Sequence, residues 1–315
     1  TYLLRATATD LDGFVATVER IVRVRDAADT AAPIVSFDVA LDGRRIGTAI
    51  AVNARVVDTN LDQWTLEIAT AGTDDFRTIA TGRTPMDGAL FTLDPARFET
   101  GFYRLRLTAV DVAGRAATTE SFVELDAATK TGRYVRTETD FSTTIAGHVV
   151  DFTRRHDSQA AGAAGSFGFG WSLALRDVRV QTDVPLTGRE ADGVYGPLEK
   201  GSRLYVTTPS GERVGFTFDP VHVVGNGFDW WTPRWVADAG HDWQLASVDA
   251  QLQRGADRFH DLVTGAAYNP AADLDERAQY RLVAANGTAY EISAQRGITA
   301  IVFTDGVRLS VSDSG

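Results

Sequence analysis

Four groups of side chains in this sequence are of types that do chemistry. The first is aromatic. The run Phe228-Asp229-Trp230-Trp231-Thr232-Pro233-Arg234-Trp235, with Trp243 beyond it, holds four of the chain's 6 tryptophans. Flat amphipathic rings pack on sugar faces, so Trp230, Trp231, Trp235 and Trp243 form a candidate ligand surface. The competing expectation is that they fill a curved sheet, with two or more buried and no sugar platform. The second group is acidic. Asp10, Asp12 and Asp111 fall in matching turns, and Asp58 with Asp62 and Asp74 with Asp75 are further loop pairs. Calcium between tandem domains takes roughly six to eight oxygens, which such carboxylates supply. No complete D-x-[DN]-x-[DN]-G loop is present, and aspartate is an ordinary turn former. No other cofactor is expected. The third group is His148, His156, His222, His241 and His260. No pair has H-E-x-x-H or another ligand spacing, so no metal ligand is assigned. The fourth is Glu190, Asp192, Glu199 and Glu212. Paired carboxylates hydrolyse glycosides, but acidic chains produce such pairs by chance. No G-x-S-x-G marks a nucleophile, no catalytic residue is assigned, and the expectation is a chain that is not an enzyme.

Composition narrows the partners. The 315 residues carry a net charge of −11 and no cysteine, with 44% apolar residues. Acidity without a basic stripe argues against nucleic acid, and no run of about eighteen apolar residues predicts membrane insertion. Without cysteine, disulfides and thiolate metal sites are excluded. A length of 315 residues suits two or three domains, and the apolar content suits sizeable cores rather than a disordered chain. The opening TYLLRATATD is neither a signal peptide nor a start methionine, so the chain is expected to be a piece of a longer protein.

The elements that must position these groups read as strands. Tyr2, Leu4, Ala6 and Ala8 alternate before a turn at Asp10–Gly13, and the pattern returns 101 residues later. Tyr2, Leu4, Asp10, Gly13 and Glu19 match Tyr103, Leu105, Asp111, Gly114 and Glu120. A period near one hundred residues is that of an immunoglobulin-like sandwich. Residues 1–27 are therefore read as the last hairpin of one such domain, and 32–126 as a complete copy of about seven strands. In that copy Trp64 on the third strand is the expected core plug, and Tyr103 the expected tyrosine corner. Beyond a polar linker, 132–315 reads as successive hairpins with turns at Thr208–Gly211, Asn286-Gly287, Asp305-Gly306 and Ser312–Gly315. Asp257–Leu262 and Ala271–Gln279 each have room for a turn or two of helix. The fold class is all-β.

Gly147–Leu173 organises the second half. A short alternating strand, Val149–Arg155, precedes Gly162, Gly165, Gly168 and Gly170, with Phe167, Phe169 and Trp171 among and after them. Rings among glycines predict a tight loop whose aromatics are buried in a neighbouring sheet. No GK[ST] or G-x-G-x-x-G context supports a phosphate cradle. The segment resembles the opening of RHS/YD-repeat proteins on Val150, Phe152, Arg154, His156 and Ser158, then Gly165, Gly168, Gly170 and Trp171; the family's usual tyrosine is His156 here. The resemblance covers about 133–315. It implies the N-terminal part of a large β-shell in a secreted or cell-surface bacterial toxin. The implied partners are the remainder of that shell and a C-terminal effector. The alternative is a carbohydrate-binding or adhesive surface protein that contacts a cell-surface glycan or protein through the tryptophan cluster.

Overall fold

Five hairpins in this chain close on one backbone turn. In DLDGF (10–14), DVAGR (111–115), TPSGE (208–212), AANGT (284–288) and FTDGV (303–307), the first residue's N–H donates to the fifth residue's carbonyl. The fourth residue's N–H donates back to the first carbonyl. That fourth residue is always glycine, with φ between 76° and 87°. An L side chain resists this left-handed region, so glycine there sets the hairpin register.

The computed structural model describes residues 2–22, 24–225, 227–272, 274 and 277–312. It is all-β as expected, with short 3₁₀ turns and no α-helix among those residues. Two compact units divide the chain. The first comprises Thr1–Arg45, Ala49–Asp94 and Tyr103–Val123, and the second Ile46–Thr48, Pro95–Phe102 and Glu124–Gly315. The strands, in order, begin with β1 (Tyr2–Thr9), β2 (Val15–Val22), β3 (Ile34–Phe37), β4 (Arg44–Ile46) and β5 (Ile50–Val57). Next come β6 (Leu61–Thr70), β7 (Arg77–Gly82), β8 (Met86–Leu93), β9 (Gly101–Asp111) and β10 (Ala116–Leu125).

β1 and β2 form an antiparallel hairpin by themselves. Their turn repeats that of β9 and β10 down to the side chains. Asp10 Oδ1 accepts the N–H groups of Asp12 and Phe14, as Asp111 Oδ1 accepts those of Ala113 and Arg115. Thr7 and Thr17 hydroxyls lie 3.3 Å apart and Thr108 and Thr118 hydroxyls 3.1 Å apart. The environments differ: Leu105 is 0% exposed and Leu4 59%.

The β3–β10 segment is a sandwich of two sheets, ordered β3-β5-β8 and β4-β10-β9-β6-β7. The short β4 makes eight strands where the sequence predicts about seven. Alternation does the building: Val52, Ala54 and Val56 on β5, Trp64, Leu66 and Ile68 on β6, and Leu105, Leu107 and Ala109 on β9 are buried. Trp64 is 4% exposed and its Nε1 donates to the Thr84 carbonyl at 3.2 Å. Its cross-strand partner is Gly82, where any Cβ would fall into the indole. Tyr103 is buried near the start of β9.

The second unit continues with β11 (Val135–Ile145), β12 (His148–Asp157), β13 (Ala164–Gly165), β14 (Gly168–Phe169), β15 (Trp171–Leu173), β16 (Val180–Thr182), β17 (Arg203–Thr207) and β18 (Arg213–Phe218). There follow β19 (Val221–Val224), β20 (Asp229–Thr232), β21 (Trp235–Ala237), β22 (Gln244–Ser247), β23 (Leu252–Gly255) and β24 (Arg258–Asp261). β25 (Tyr280–Val283), β26 (Ala289–Ser293), β27 (Gly297–Val302) and β28 (Arg308–Ser310) complete it. Its sheets run β11-β12-β15, β13-β14, β16-β17-β18-β21, β19-β20-β23-β24 and β22-β25-β26-β27-β28. Leu204, Val206, Phe216, Phe218, Phe259, Leu282 and Ile292 lie in one buried cluster. The helical turn expected over Asp257–Leu262 is instead β24. Ala256 adopts φ 55° and turns the chain, so Arg258–Asp261 pairs with Leu252–Gly255. The expectation for 271–279 falls partly outside the described residues, as does that for 312–315.

One ionic cluster sits between β17 and its neighbours. Arg203 Nη1 donates to Asp238 Oδ1 (2.6 Å) and Thr217 Oγ1 (2.9 Å), and Nη2 to Asp238 Oδ2 (2.7 Å) and Glu124 Oε1 (2.9 Å). Tyr205 donates its hydroxyl to the same Glu124 oxygen at 2.6 Å. Burial raises the Tyr205 phenol well above its ordinary range, so it stays a donor. Asp183 Oδ2 accepts the Arg203 backbone N–H at 2.8 Å, while its buried Oδ1 has no partner. Burial first, then the Glu124 charge, pushes this carboxyl up to about 6.

Two predictions follow from this packing. Trp64→Ala should cost about 3–5 kcal/mol as a core truncation, and Gly82→Ala about 1–3 kcal/mol by overpacking the ring; denaturant melts measure both, and an unchanged midpoint for either contradicts this core. The second concerns acid. Because Asp183 holds its proton more tightly folded than unfolded, its stabilising contribution is complete below about pH 4. It falls away as pH rises through about 6, a difference on the order of 3 kcal/mol. Asp183→Asn should therefore raise the midpoint above neutral pH and leave the acid midpoint nearly unchanged; an equal shift at both pH values contradicts the assignment.

Candidate functional site

β12 carries Val150, Phe152, Arg154 and His156 on one face because alternate residues of a strand share a face. Val150 is buried, and Phe152 stacks on Phe141 of β11 at 4.2 Å between ring centres. A bulge between Thr139 and Phe141 releases Asp140 from the ladder. Its carboxylate takes the Arg154 guanidinium bidentately, both bonds 2.6 Å. The same guanidinium stands 5.5 Å from the Phe167 ring and 5.7 Å from the Trp171 ring. His156 lies 5.1 Å from Trp171 and 6.0 Å from Tyr134. The face is thus a ladder of rings with one paired cation set into it.

The glycine loop is fixed from beneath by an aspartate that no sequence motif marks. Asp177 accepts the Ser166 N–H, the Ser166 hydroxyl and the Leu173 N–H, each at 2.7 Å. Gly170 accepts the Asp157 N–H at 2.9 Å and donates to the Ala163 carbonyl at 3.0 Å. A Cβ at Gly165 would meet the Trp171 carbonyl, and one at Gly170 would crowd His156. Asp157, ion-paired to Arg133 at 2.5 Å, caps the turn that begins at Ser158. The Ser158 hydroxyl accepts the Tyr134 N–H at 2.9 Å.

The expectation that all three loop aromatics are buried is corrected. Phe167 is 48% and Phe169 70% exposed, and Trp171 is half-buried. In this loop the glycines, not the rings, make the close approaches. β13 and β14 are two residues each, and the intervening tip leaves Phe167 with just one side against the Arg154 guanidinium and the rest exposed.

The tryptophan run does not form a platform. Trp231 leans on the core beside Phe259, with His222 stacked on it at 4.7 Å. Trp230, its neighbour on the other face, covers Gly225 and Phe228. Trp235 is buried and donates Nε1 to Ser247 Oγ at 3.1 Å. Trp243 packs against Tyr290 elsewhere. Of the four, Trp235 is buried and the other three are half-buried, where two or more buried rings are expected. The strand holding Trp230 and Trp231 has just one face against the core.

The acidic and histidine candidates are dispersed. Glu190 accepts the Thr187 N–H at 2.6 Å, Glu199 pairs with Arg258 at 3.1 Å, and Glu212 lies 3.1 Å from His241 Nδ1. Asp192 pairs with Arg189 at 3.4 Å. His148 meets Asp305 at 2.9 Å and stacks on Phe303 at 3.7 Å. Among the described residues no group of three or more such side chains is placed to hold a metal ion. In the first unit Arg115 serves the acidic joint as counter-ion. It bonds Asp111 Oδ2 at 2.5 Å and the Asp29 carbonyl at 3.0 Å, while Asn60 bridges Asp26 and Asp29.

Residues 128–197 match a family model described as a domain of unknown function, DUF6531. The DUF6531 span takes in β11 to β16, hence the ring ladder, the glycine loop and Asp177. No curated protein matches the chain. Among solved structures, protocadherin gamma B2 extracellular cadherin domains 1–5 are similar at 12% identity with a TM-score of 0.16. That comparison covers 99% of this chain and 65% of the protocadherin chain, so this chain spans less than two thirds of that length.

Asp177 gives the loop its test. Asp177→Ala strands three donors and should cost on the order of 2–3 kcal/mol locally. Limited proteolysis should then cut between Gly162 and Gly170 faster, while the midpoint of the buried cluster barely moves. Unchanged cleavage would show that the loop does not depend on this carboxylate.

Proposed function

We propose that this chain is a non-catalytic structural part of a large exported RHS-repeat-type protein. It forms the N-terminal portion of a β-shell that encloses or presents a toxin carried further along the polypeptide. The observation that carries this reading is the open character of the second unit's sheets. β11 is an 11-residue strand at the edge of its sheet, and its outer side has no paired strand among the described residues. β28 ends the five-stranded sheet in the same way. Long open edges invite further strands, and continuing hairpins would close them into a wall. Phe152, Arg154, Ser158, Gly165, Gly168, Gly170 and Trp171 fit this role because they pack and brace rather than converge on a reacting atom. In this reading the partners are the remaining shell strands and the effector. Secretion or surface display belongs to the same proposal.

Hydrogen exchange tests it. In the longer polypeptide the β11 amides that do not bond to β12 should exchange at least tenfold more slowly than in this chain by itself. Equal rates would remove the seam on which the reading rests. The chain by itself should also leave glycan, ester and peptide panels unhydrolysed; turnover abolished by one carboxylate substitution would overturn the non-catalytic assignment.

A further inference from the structure

Three turns of the second unit meet around a shallow cleft of about 440 Å³. The turn after β17 brings Glu212, the loop before β22 brings His241, Asp242 and Trp243, and the β25–β26 turn brings Asn286. The remaining lining is glycine and alanine. Clefts of roughly 300–1,000 Å³ are the size that takes small molecules. We propose that this cleft binds a neutral saccharide, with Trp243 as its stacking face.

The chemistry selects that class. Trp243 is the one large ring in the lining, tilted against Tyr290 at 6.3 Å between ring centres and packed on the buried cluster. A sugar's C–H face packs on such a ring while its hydroxyls stay at the rim. The rim supplies acceptors from Glu212 and Asp242. Asn286 uses Oδ1 to accept the Thr288 N–H at 3.0 Å, which turns its amide NH₂ away from that bond. His241 Nδ1, 3.1 Å from Glu212 Oε1, holds that carboxylate in place. Carboxylates that accept paired hydroxyl donors and an amide that donates back match vicinal diols. Two carboxylates in the lining disfavour phosphate and nucleotide ligands. Apart from Trp243 the apolar lining is alanine and glycine, with no branched aliphatic side chain to grip an alkyl ligand. The site is separate from the ring ladder and does not depend on the shell reading.

Calorimetric titration with neutral di- and trisaccharides of glucose, galactose, mannose and N-acetylglucosamine at millimolar concentration is the test. Binding of at least one should weaken about tenfold or more in Trp243→Ala and about tenfold in Asp242→Asn. It should be unchanged in Trp230→Ala, outside the cleft. Asp242 is exposed, so its variant decides the matter if Trp243→Ala unfolds. The proposal is overturned if no saccharide of the panel binds. It is also overturned if binding survives both cleft substitutions, or if an oligolysine peptide occupies the cleft in place of sugar.

Discussion

Arg203 is the charge on which the second unit depends. Its side chain is 13% exposed, and that of Glu124 is 8% exposed. Removing one member of so buried a pair leaves an ion without solvent or partner, which costs several kcal/mol. The guanidinium fork answers this by bonding two carboxylates and a hydroxyl at once, a geometry that lysine cannot copy. Those bonds fix register. Arg203 stands opposite Thr217, and a slip of one residue would turn Arg203 into the cluster that holds Leu204 and Phe216. Burial first, and then the Glu124 charge, keeps Tyr205 a phenol and raises the Asp183 carboxyl.

The same device recurs along the chain. Arg154 closes on Asp140, Arg133 on Asp157, and Arg115 on Asp111. In the acidic joint Asp58 is pushed upward by burial and by the nearby Asp29 and Asp111 charges, while Arg115 pulls the other way. Other aspartates are held by backbone amides, as at Asp10, Asp177 and Asp261. A chain of net charge −11 therefore folds with many of its carboxylates already bonded within it. A carboxylate saturated by amide and guanidinium donors is a poor general base. Glu190 and Glu199 are bonded in this way, to the Thr187 amide and the Arg258 guanidinium.

Much of the architecture was legible because it is written locally. The five glycine turns and the alternation of β5, β6 and β9 need no knowledge of distant residues. The match between 2–19 and 103–120 is likewise a property of sequence spacing. What could not be read depends on partners far along the chain. Nothing near Asp177 announces that it holds Ser166 and Leu173. Arg203 gives no sign that Glu124, 79 residues earlier, will face it. The loop aromatics mislead because rings beside glycines suggest buried contact, whereas the short hairpin tip leaves Phe167 and Phe169 exposed and seats its glycines. Asp257–Leu262 misled because Ala256, an L residue, adopts a left-handed turn without glycine's signal.

Exposed apolar groups on the second unit's first strands sit beside features that restrict what may pair there. β11 carries Val135, Phe141 and Ile145 in the open, an arrangement that invites strand addition from any chain with a free edge. Yet Arg136 and Glu138 lie on the same strand, ion-paired at 2.6 Å, and the Asp140 bulge interrupts its ladder. Bulges twist an edge, and charges make a flat apolar neighbour unfavourable. A strand that pairs here must accommodate the bulge and present polar groups opposite the Arg136–Glu138 stretch, with apolar ones opposite Phe141 and Ile145. The edge therefore favours a neighbour matched to this pattern over a flat apolar strand.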